Sequence, residues 1–261
     1  MAQQTQIARV GEASREFTTT FPTLERLADA TPADVLRAWR GLGYNRRALN
    51  LWRAARVVVD EQGGRLPSDV EALERLPGIG PYTARAVAAI AFGVPVGAVD
   101  TNVRRVLGRT VAGATDALLA ADLQRLADAS VPADRAADWT HALMDVGATF
   151  CRTNRPACEA CPAQPWCRYS AEATPRAVAE LGRGPTLARE RAAPFSSTSR
   201  WLRGRILDRL RDADGSHWLE FIPPIGDHDR VAVVRALLLL AADGLLELDP
   251  DSELRARLPL G

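Results

Sequence analysis

Four cysteines within 17 residues constrain this chain more than any other feature. Cys151, Cys158, Cys161 and Cys167 are the only cysteines in the 261-residue sequence, and their spacing is Cys-x6-Cys-x2-Cys-x5-Cys. Clustered cysteines in an intracellular protein usually bind a metal rather than form disulfides. The sequence therefore predicts a compact loop that brings four thiolates together.

Two kinds of metal centre accept four thiolates, a tetrahedral zinc ion and a cubane iron-sulfur cluster. Structural zinc sites usually combine two short Cys-x2-4-Cys pairs. This loop contains one short pair, Cys158 and Cys161, with the outer cysteines placed asymmetrically around it. The spacing favours a [4Fe-4S] cluster. The alternatives are zinc, and four cysteines that bind no metal.

The composition excludes one class of enzyme. All 33 basic residues are arginine, so no side-chain amine is available to form a Schiff base with a substrate. A lyase that depends on lysine is therefore excluded. The net charge of +1 decides nothing about nucleic acid, because binding requires a basic face and not a basic total.

The sequence shows neither a membrane span nor a secretion signal. Its longest strongly apolar stretch, 231–242, is interrupted by Arg235 and is too short to cross a bilayer. Residues 1–6 are mostly polar, and no apolar segment typical of a signal peptide follows them. We therefore expect a cytoplasmic, monomeric protein with no membrane partner.

Hydrophobic periodicity predicts a mainly α-helical chain. Residues 1–110 show short helical patterns separated by turns, and 116–147 form a second helical stretch that leads into the cysteines. We predict a helical domain over 1–110, with a hairpin of two helices at 76–92, and a helical domain over 111–170 that carries the cysteines.

The last third of the chain has a different composition. Residues 171–198, with several prolines, glycines and charges, are typical of a linker. Residues 201–211 and 230–242 have helical periodicity, and 245–248 and 254–258 are expected to pair as short strands around Asp249-Pro250-Asp251. This pattern predicts a small winged-helix-like module over 199–261.

Two short motifs carry candidate functional residues. In Leu76-Pro77-Gly78-Ile79-Gly80, two glycines before a helix allow backbone N–H groups to approach an anion such as a DNA phosphate. The alternative is a plain tight turn. In the segment 98–106, Asp100 follows an apolar approach at a helix start, which alone predicts an N-cap.

These motifs, together with 142–148 leading into the cysteines, resemble the helix-hairpin-helix DNA glycosylases, which include endonuclease III and the adenine DNA glycosylases. The resemblance implies a helical barrel domain plus an iron-sulfur cluster domain, with Asp100 catalytic and Asn102 orienting the substrate. Cleavage of an N-glycosidic bond develops positive charge on the sugar, which a carboxylate at the position of Asp100 stabilises or traps. The implied partner is double-stranded DNA with a mismatched or damaged base pair.

The resemblance also suggests how the base is reached. The target nucleotide must leave the duplex, and in Gly41-Leu42-Gly43-Tyr44 the side chains of Leu42 and Tyr44 are candidates to wedge into the stack. The alternative is a helix end with two core anchors. Endonuclease III has a lysine in its hairpin helix where this chain has Tyr82, so the resemblance implies a monofunctional hydrolase.

The first residues point to one subfamily. Gln3-Gln4-Thr5-Gln6 resembles a segment of adenine DNA glycosylases that act on adenine opposite 8-oxoguanine or guanine, where Gln4 and Thr5 are implied to line the lesion side. A disordered tail is the alternative for these four residues. A thymine glycosylase for G·T mismatches is the alternative activity.

One family residue has no counterpart. The resemblance places the general-acid glutamate a few residues before Gln3, ahead of Met1, and loss of such an acid costs about two to four orders of magnitude in rate. We favour a mis-assigned start or a fragment of an active enzyme. The alternative is a catalytically silent protein that binds lesions. The family's usual C-terminal lesion-reading domain is also not evident in 199–261.

Overall fold

The computed structural model describes Met1 and residues 7–172, 194–213 and 217–261. The contacts divide the chain into two compact units, one made of Met1–Leu66 with Glu190–Gly261 and the other of Pro67–Arg189. The predicted lesion-side residues Gln4 and Thr5, and most of the predicted linker, lie outside the described residues. The domain limits expected at residues 110, 170 and 198 stay predictions.

The described residues form the following elements in chain order. The helices are α1 (Ile7–Thr20), α2 (Leu24–Ala28), α3 (Pro32–Ala38), α4 (Arg46–Gln62), α5 (Val70–Glu74), α6 (Pro81–Phe92), α7 (Thr101–Ala112), α8 (Ala120–Ser130), α9 (Ala136–Thr149), α10 (Arg168–Glu172), α11 (Ser199–Asp212) and α12 (Arg230–Ala242). The strands are β1 (Leu219–Glu220), β2 (Glu247–Asp249) and β3 (Ser252–Arg257). The prediction of a mainly α-helical chain is confirmed. Over these ranges, no helix combines the length and the apolar character that a bilayer crossing requires.

In the first unit, the terminal segment and the N-terminal helices share one core. Leu36 and Trp39 pack in the same buried cluster as Ile206, Phe221 and Leu237, and each of the five is at most 1% exposed. The chain end is tied in as well, because the backbone N–H of Ala33 donates to the carbonyl of Pro259 at 3.0 Å. Since a common apolar core excludes water from both segments, residues 199–261 pack as part of this unit.

The terminal segment contains the predicted hairpin. Strands β2 and β3 pair antiparallel around the expected turn, where the Asp249 carboxylate accepts the backbone N–H of Asp251 at 3.0 Å. Strand β1 joins the other edge of β3, which gives the order β1-β3-β2. Helices α11 and α12 pack with each other and α12 packs on this sheet, and the assignment of 199–261 as a winged-helix-like module stays a prediction. The two-residue β1 is too short to show an alternating pattern in the sequence.

In the second unit, helices α7, α8 and α9 surround a small core that contains Val103, Leu107, Leu123 and Ala127. The packing depends on close backbone approach. A Cβ added to Gly97 would lie 2.6 Å from the Cβ of Ala127, so a larger residue does not fit there without movement. Close packing around α7 fixes both ends of this helix. The candidate carboxylate lies at its start, and residues toward its end contact the cysteine loop.

Candidate active site and cysteine loop

The predicted hairpin forms the turn between α5 and α6. Gly78 has φ 77°, a left-handed backbone that favours glycine. Gly80 has an extended backbone and precedes Pro81 at the start of α6, and a Cβ added there would meet no atom within 4 Å. Both glycines are exposed, so an anion has room to approach the start of this helix.

Asp100 caps helix α7 and is fixed through both carboxylate oxygens. Oδ1 accepts the backbone N–H of Val103 at 2.7 Å, and Oδ2 accepts the side-chain N–H of Asn102 at 3.2 Å. The predicted N-cap is therefore present. A carboxylate retains further lone pairs after two such bonds. The cap orients the group without removing its capacity to act on a substrate.

Tyr82, in the first turn of α6, is influenced by the charge of Asp100. Burial, and secondly the negative charge of Asp100, raise the pKa of the Tyr82 hydroxyl, which therefore stays protonated at neutral pH. This hydroxyl lies 3.9 Å from the sulfur of Met144 on α9. The helix after the hairpin thus presents a neutral, half-buried phenol, and not an amine, within the electrostatic influence of the candidate carboxylate.

A buried arginine connects this carboxylate to the cysteine loop. Arg105, on α7, is 8% exposed and donates to the side-chain oxygen of Asn102 and to the carbonyl of Gly147, each at 2.8 Å. It also donates to the carbonyl of Cys151. A Cβ added to Gly147 would lie 2.6 Å from the Cβ of Asn102. Asp100, Asn102, Arg105 and the first cysteine therefore form one continuous hydrogen-bonded network.

The four cysteines border a single cavity. Cys151 follows α9, Cys158 begins a short 3-10 helix, and Cys161 and Cys167 follow 3-10 turns. Burial, and then the charges of the other three cysteines, raise the pKa of the Cys158 thiol. The cavity is completed mainly by apolar atoms, from residues that include Val106, Val146, Phe150, Pro156 and Ala163. All four cysteines line this cavity, and their joint binding of one metal centre stays a prediction.

A second buried arginine, Arg109, borders this cavity. It is 5% exposed and donates to the sulfur of Cys151 at 3.6 Å and to the carbonyls of Arg152 and Thr153 at 2.8 and 3.2 Å. Its guanidinium lies 4.8 Å from the centre of the Tyr169 ring. A cation at this position offsets the charge of thiolate ligands, because opposite charge favours the ionised form.

The donor set fits an iron-sulfur cluster. In the described part of the chain, no three His, Cys, Asp or Glu side chains converge as they would around one metal ion. All four cysteines nevertheless line one common cavity, and four cysteine thiolates are the ligand set of a cubane cluster.

In the first unit, the candidate wedge residues differ in exposure. Tyr44 has 51% of its surface exposed, whereas Leu42 has 4% exposed and belongs to the core. Gly41 and Gly43 have φ 81° and 67°, and Tyr44 itself has φ 45°. Leu42 is therefore a core anchor and not a wedge, because a side chain packed in the core is not available to enter a base stack. Tyr44 stays a candidate.

Sequence reasoning missed Arg105 and Arg109. Both lie on α7, at positions where the helix is buried from Val103 to Arg109 except at Arg104. Arginine is rarely buried unless it has partners. The available signal was the placement of two arginines among the apolar residues of this helix, five and nine positions after Asp100.

Comparison with known proteins identifies the family. Residues 1–130 match the model of the HhH-GPD superfamily of base excision DNA repair proteins. The adenine DNA glycosylase of Mycolicibacterium smegmatis is 40% identical over 252 residues, which are 96% of this chain and 83% of that protein. The human adenine DNA glycosylase is 44% identical over 172 residues, 64% of this chain and 32% of that protein.

Solved structures give the same result for the fold. A thermostable thymine-DNA glycosylase matches with a TM-score of 0.60 and 31% identity, over 65% of this chain and 79% of that chain. Endonuclease III in a non-covalent DNA complex matches with a TM-score of 0.57 and 26% identity, over 65% and 79% of the two chains. The chain therefore belongs to the adenine DNA glycosylases of the HhH-GPD superfamily of base excision DNA repair proteins.

Proposed function

We propose that this protein is a monofunctional DNA glycosylase that hydrolyses the bond between adenine and deoxyribose where adenine is mispaired with 8-oxoguanine or guanine. The observation that carries the proposal is Asp100, a carboxylate fixed through both oxygens at the start of α7. The family match supports adenine as the base.

The proposed chemistry follows from the charge on Asp100. As the bond from C1′ to the adenine nitrogen breaks, positive charge develops on the sugar, and the carboxylate stabilises it electrostatically or by a transient covalent bond. Water then supplies the hydroxyl at C1′ and a proton for the departing base. Because Tyr82 offers no amine, the reaction stops at an abasic site and leaves the strand intact.

Three duplexes separate this function from its alternatives. The first contains adenine opposite 8-oxoguanine, the second adenine opposite guanine, and the third thymine opposite guanine. Each duplex is incubated with the protein and then treated with alkali. We expect alkali-dependent breaks at adenine. Breaks at thymine would establish the alternative that the likeness to a thymine-DNA glycosylase favours. Tight binding with no alkali-labile product would establish a silent lesion binder, and breaks without alkali would contradict the monofunctional proposal.

The proposed cofactor is a [4Fe-4S] cluster held by Cys151, Cys158, Cys161 and Cys167. Such a cluster would hold the loop in shape when bound. Purified protein is expected to contain about four iron and four sulfide per chain and to absorb visible light. Cys161→Ser is expected to lose most of the iron and to lower the thermal stability, because the loop then loses a ligand.

Metal analysis checks this prediction against zinc. A Ser196→Ala variant, far from the cysteines in sequence and in the other unit, serves as the control and should retain the full iron content. About one zinc per chain, with no sulfide, would contradict the cluster.

We propose that the hairpin between α5 and α6 binds a DNA phosphate. Gly80→Ala places a methyl group in open space on a backbone that alanine adopts, so thermal stability should be unchanged or slightly higher. The methyl group would obstruct a phosphate, and we expect duplex affinity to fall about tenfold, measured by fluorescence anisotropy.

Gly78→Ala provides the contrast. It forces a side chain onto a left-handed backbone and is expected to destabilise the protein by about 1 kcal/mol. Unchanged DNA affinity in Gly80→Ala would show that the hairpin is only a tight turn.

A further inference from the structure

The ring of Tyr44 is held by two arginines. Tyr44 is half-exposed and has φ 45°, which residues with a side chain rarely adopt. Such a backbone persists only where surrounding structure determines it, and it is concentrated at functional sites. The guanidinium carbons of Arg47 and Arg200 each lie 5.5 Å from the centre of the Tyr44 ring, within the range of a cation–π contact.

These two arginines differ in their distance from Tyr44 along the sequence. Arg47 follows Tyr44 by three residues and also donates to the carbonyls of Leu42 and Gly43 at 3.1 and 3.3 Å, so local structure accounts for its place. Arg200 comes from α11, 156 positions later in the chain. Its side chain is exposed and forms no ion pair with the acidic side chains that the structure describes. Its contact with Tyr44 is therefore not a by-product of local folding.

Helix α11 is anchored at its other end to the same loop. Arg211, 8% exposed, donates to the side-chain oxygen of Asn45 at 2.7 Å and to the carbonyl of Leu36 at 2.9 Å. Asn45 is the residue after Tyr44. Because Arg211 fixes the helix against this loop, the position of Arg200 over the ring is set by the scaffold and not by a mobile side chain alone.

A second connection supports the same loop. Asp243, at the end of α12, forms ion pairs with Arg203 of α11 and with Arg46, the latter at 3.6 Å. Arg46 lies two residues after Tyr44 and begins α4. The terminal segment thus contacts both the ring of Tyr44 and the residues that follow it.

We propose that Arg200 is a positioning residue for Tyr44, through which the terminal segment 199–261 sets the angle at which this ring enters DNA. The proposal rests on the proposed function, in which Tyr44 is the wedge beside the displaced base. A guanidinium that lies over a ring face restricts the movement of the ring. The N–H groups of the guanidinium point outward in its own plane, where they can donate to a phosphate. Arg200 would then both hold the Tyr44 ring and fix the position of that ring along the DNA backbone.

A double-mutant cycle tests this coupling. Arg200→Ala is expected to weaken binding of a duplex with adenine opposite 8-oxoguanine about three- to tenfold, whereas Arg205→Ala, an exposed arginine on the same helix, should change it less than about twofold. In a Tyr44→Ala background, Arg200→Ala should lose most of this effect. An effect that persists undiminished without Tyr44, or an equal effect of Arg205→Ala, would overturn the proposal.

A measurement without DNA separates this proposal from the proposed function. The chain has three tyrosines, so selective ¹³C labelling of their rings gives a simple NMR spectrum in which Tyr44→Phe identifies the Tyr44 signals. Arg200→Ala should shift those signals and leave the signals of Tyr82 and Tyr169 in place, and Arg205→Ala should shift none of the three. Unmoved Tyr44 signals would refute the contact even if the enzyme releases adenine. A protein that releases no base would refute the proposed function, while the spectrum would still report on Arg200.

Discussion

Replacing Asp100 by asparagine is expected to lower the single-turnover rate of adenine release by about a thousandfold. The change removes the negative charge that opposes the charge developing on the sugar, which is the largest electrostatic contribution that this site offers. Asparagine is as good an N-cap as aspartate, so the bond to the N–H of Val103 and the start of α7 should be retained. The rate should therefore fall while the melting temperature stays within a few degrees.

Asp229→Asn is the matched control for this prediction. Asp229 caps α12 in the same way, since its carboxylate accepts the backbone N–H of Ala232 at 2.9 Å. The same substitution there should leave the rate of base release unchanged. If Asp100→Asn retained more than about a tenth of the wild-type rate, the N-cap would be the whole role of Asp100.

The second large effect is expected from Arg105→Met. The substitution keeps most of the side-chain volume but leaves the carbonyls of Gly147 and Cys151 and the side chain of Asn102 without their donor. Unsatisfied buried polar groups destabilise a protein, and we expect a loss of about 3 kcal/mol in the free energy of unfolding. Because Asn102 also orients Asp100, the rate of adenine release should fall about tenfold or more in protein that is still folded.

The neighbouring residue gives the control. Arg104 lies next to Arg105 on α7 but is more exposed and is not part of this network. Arg104→Met should change the unfolding free energy, measured by denaturant titration, by less than about 0.5 kcal/mol. Equal destabilisation by the two variants would show that the network contributes nothing specific to stability.

Local features could be predicted from the sequence because their chemistry is local. The turn at Gly78 and the cap at Asp100 each involve residues within a few positions of one another, and the structure contains both. The four cysteines lie within 17 residues, and the structure places all four around one cavity. The hairpin of β2 and β3 belongs to the same class, since a short turn fixes its register.

Features that depend on distant residues could not be predicted. Arg105 reaches Cys151 across 46 positions, and Arg200 reaches Tyr44 across 156, so no periodicity or spacing in the sequence reports either contact. The shared core of residues 1–66 and 199–261 was missed for the same reason. A repeating pattern shows which face of a helix is apolar but does not show which other helix covers it.

The wedge motif shows a different limit. Leu42 and Tyr44 lie two positions apart and are both suited to entering a base stack, yet one is in the core and the other is half-exposed. Positive φ angles at Gly41, Gly43 and Tyr44 flank Leu42, and this backbone path accompanies the different exposure of the two side chains. Two glycines in the sequence permit such a path but do not specify it.

Direct measurement of the released base tests the central claim most directly. A duplex with adenine opposite 8-oxoguanine is incubated with an excess of the protein, and free adenine is separated by chromatography and compared with the number of abasic sites. We predict equal amounts of adenine and abasic sites, with both reduced about a thousandfold in Asp100→Asn. A duplex that is bound but yields no adenine, or thymine released from a G·T duplex in its place, would contradict the assignment of this chain as an adenine hydrolase that acts through Asp100.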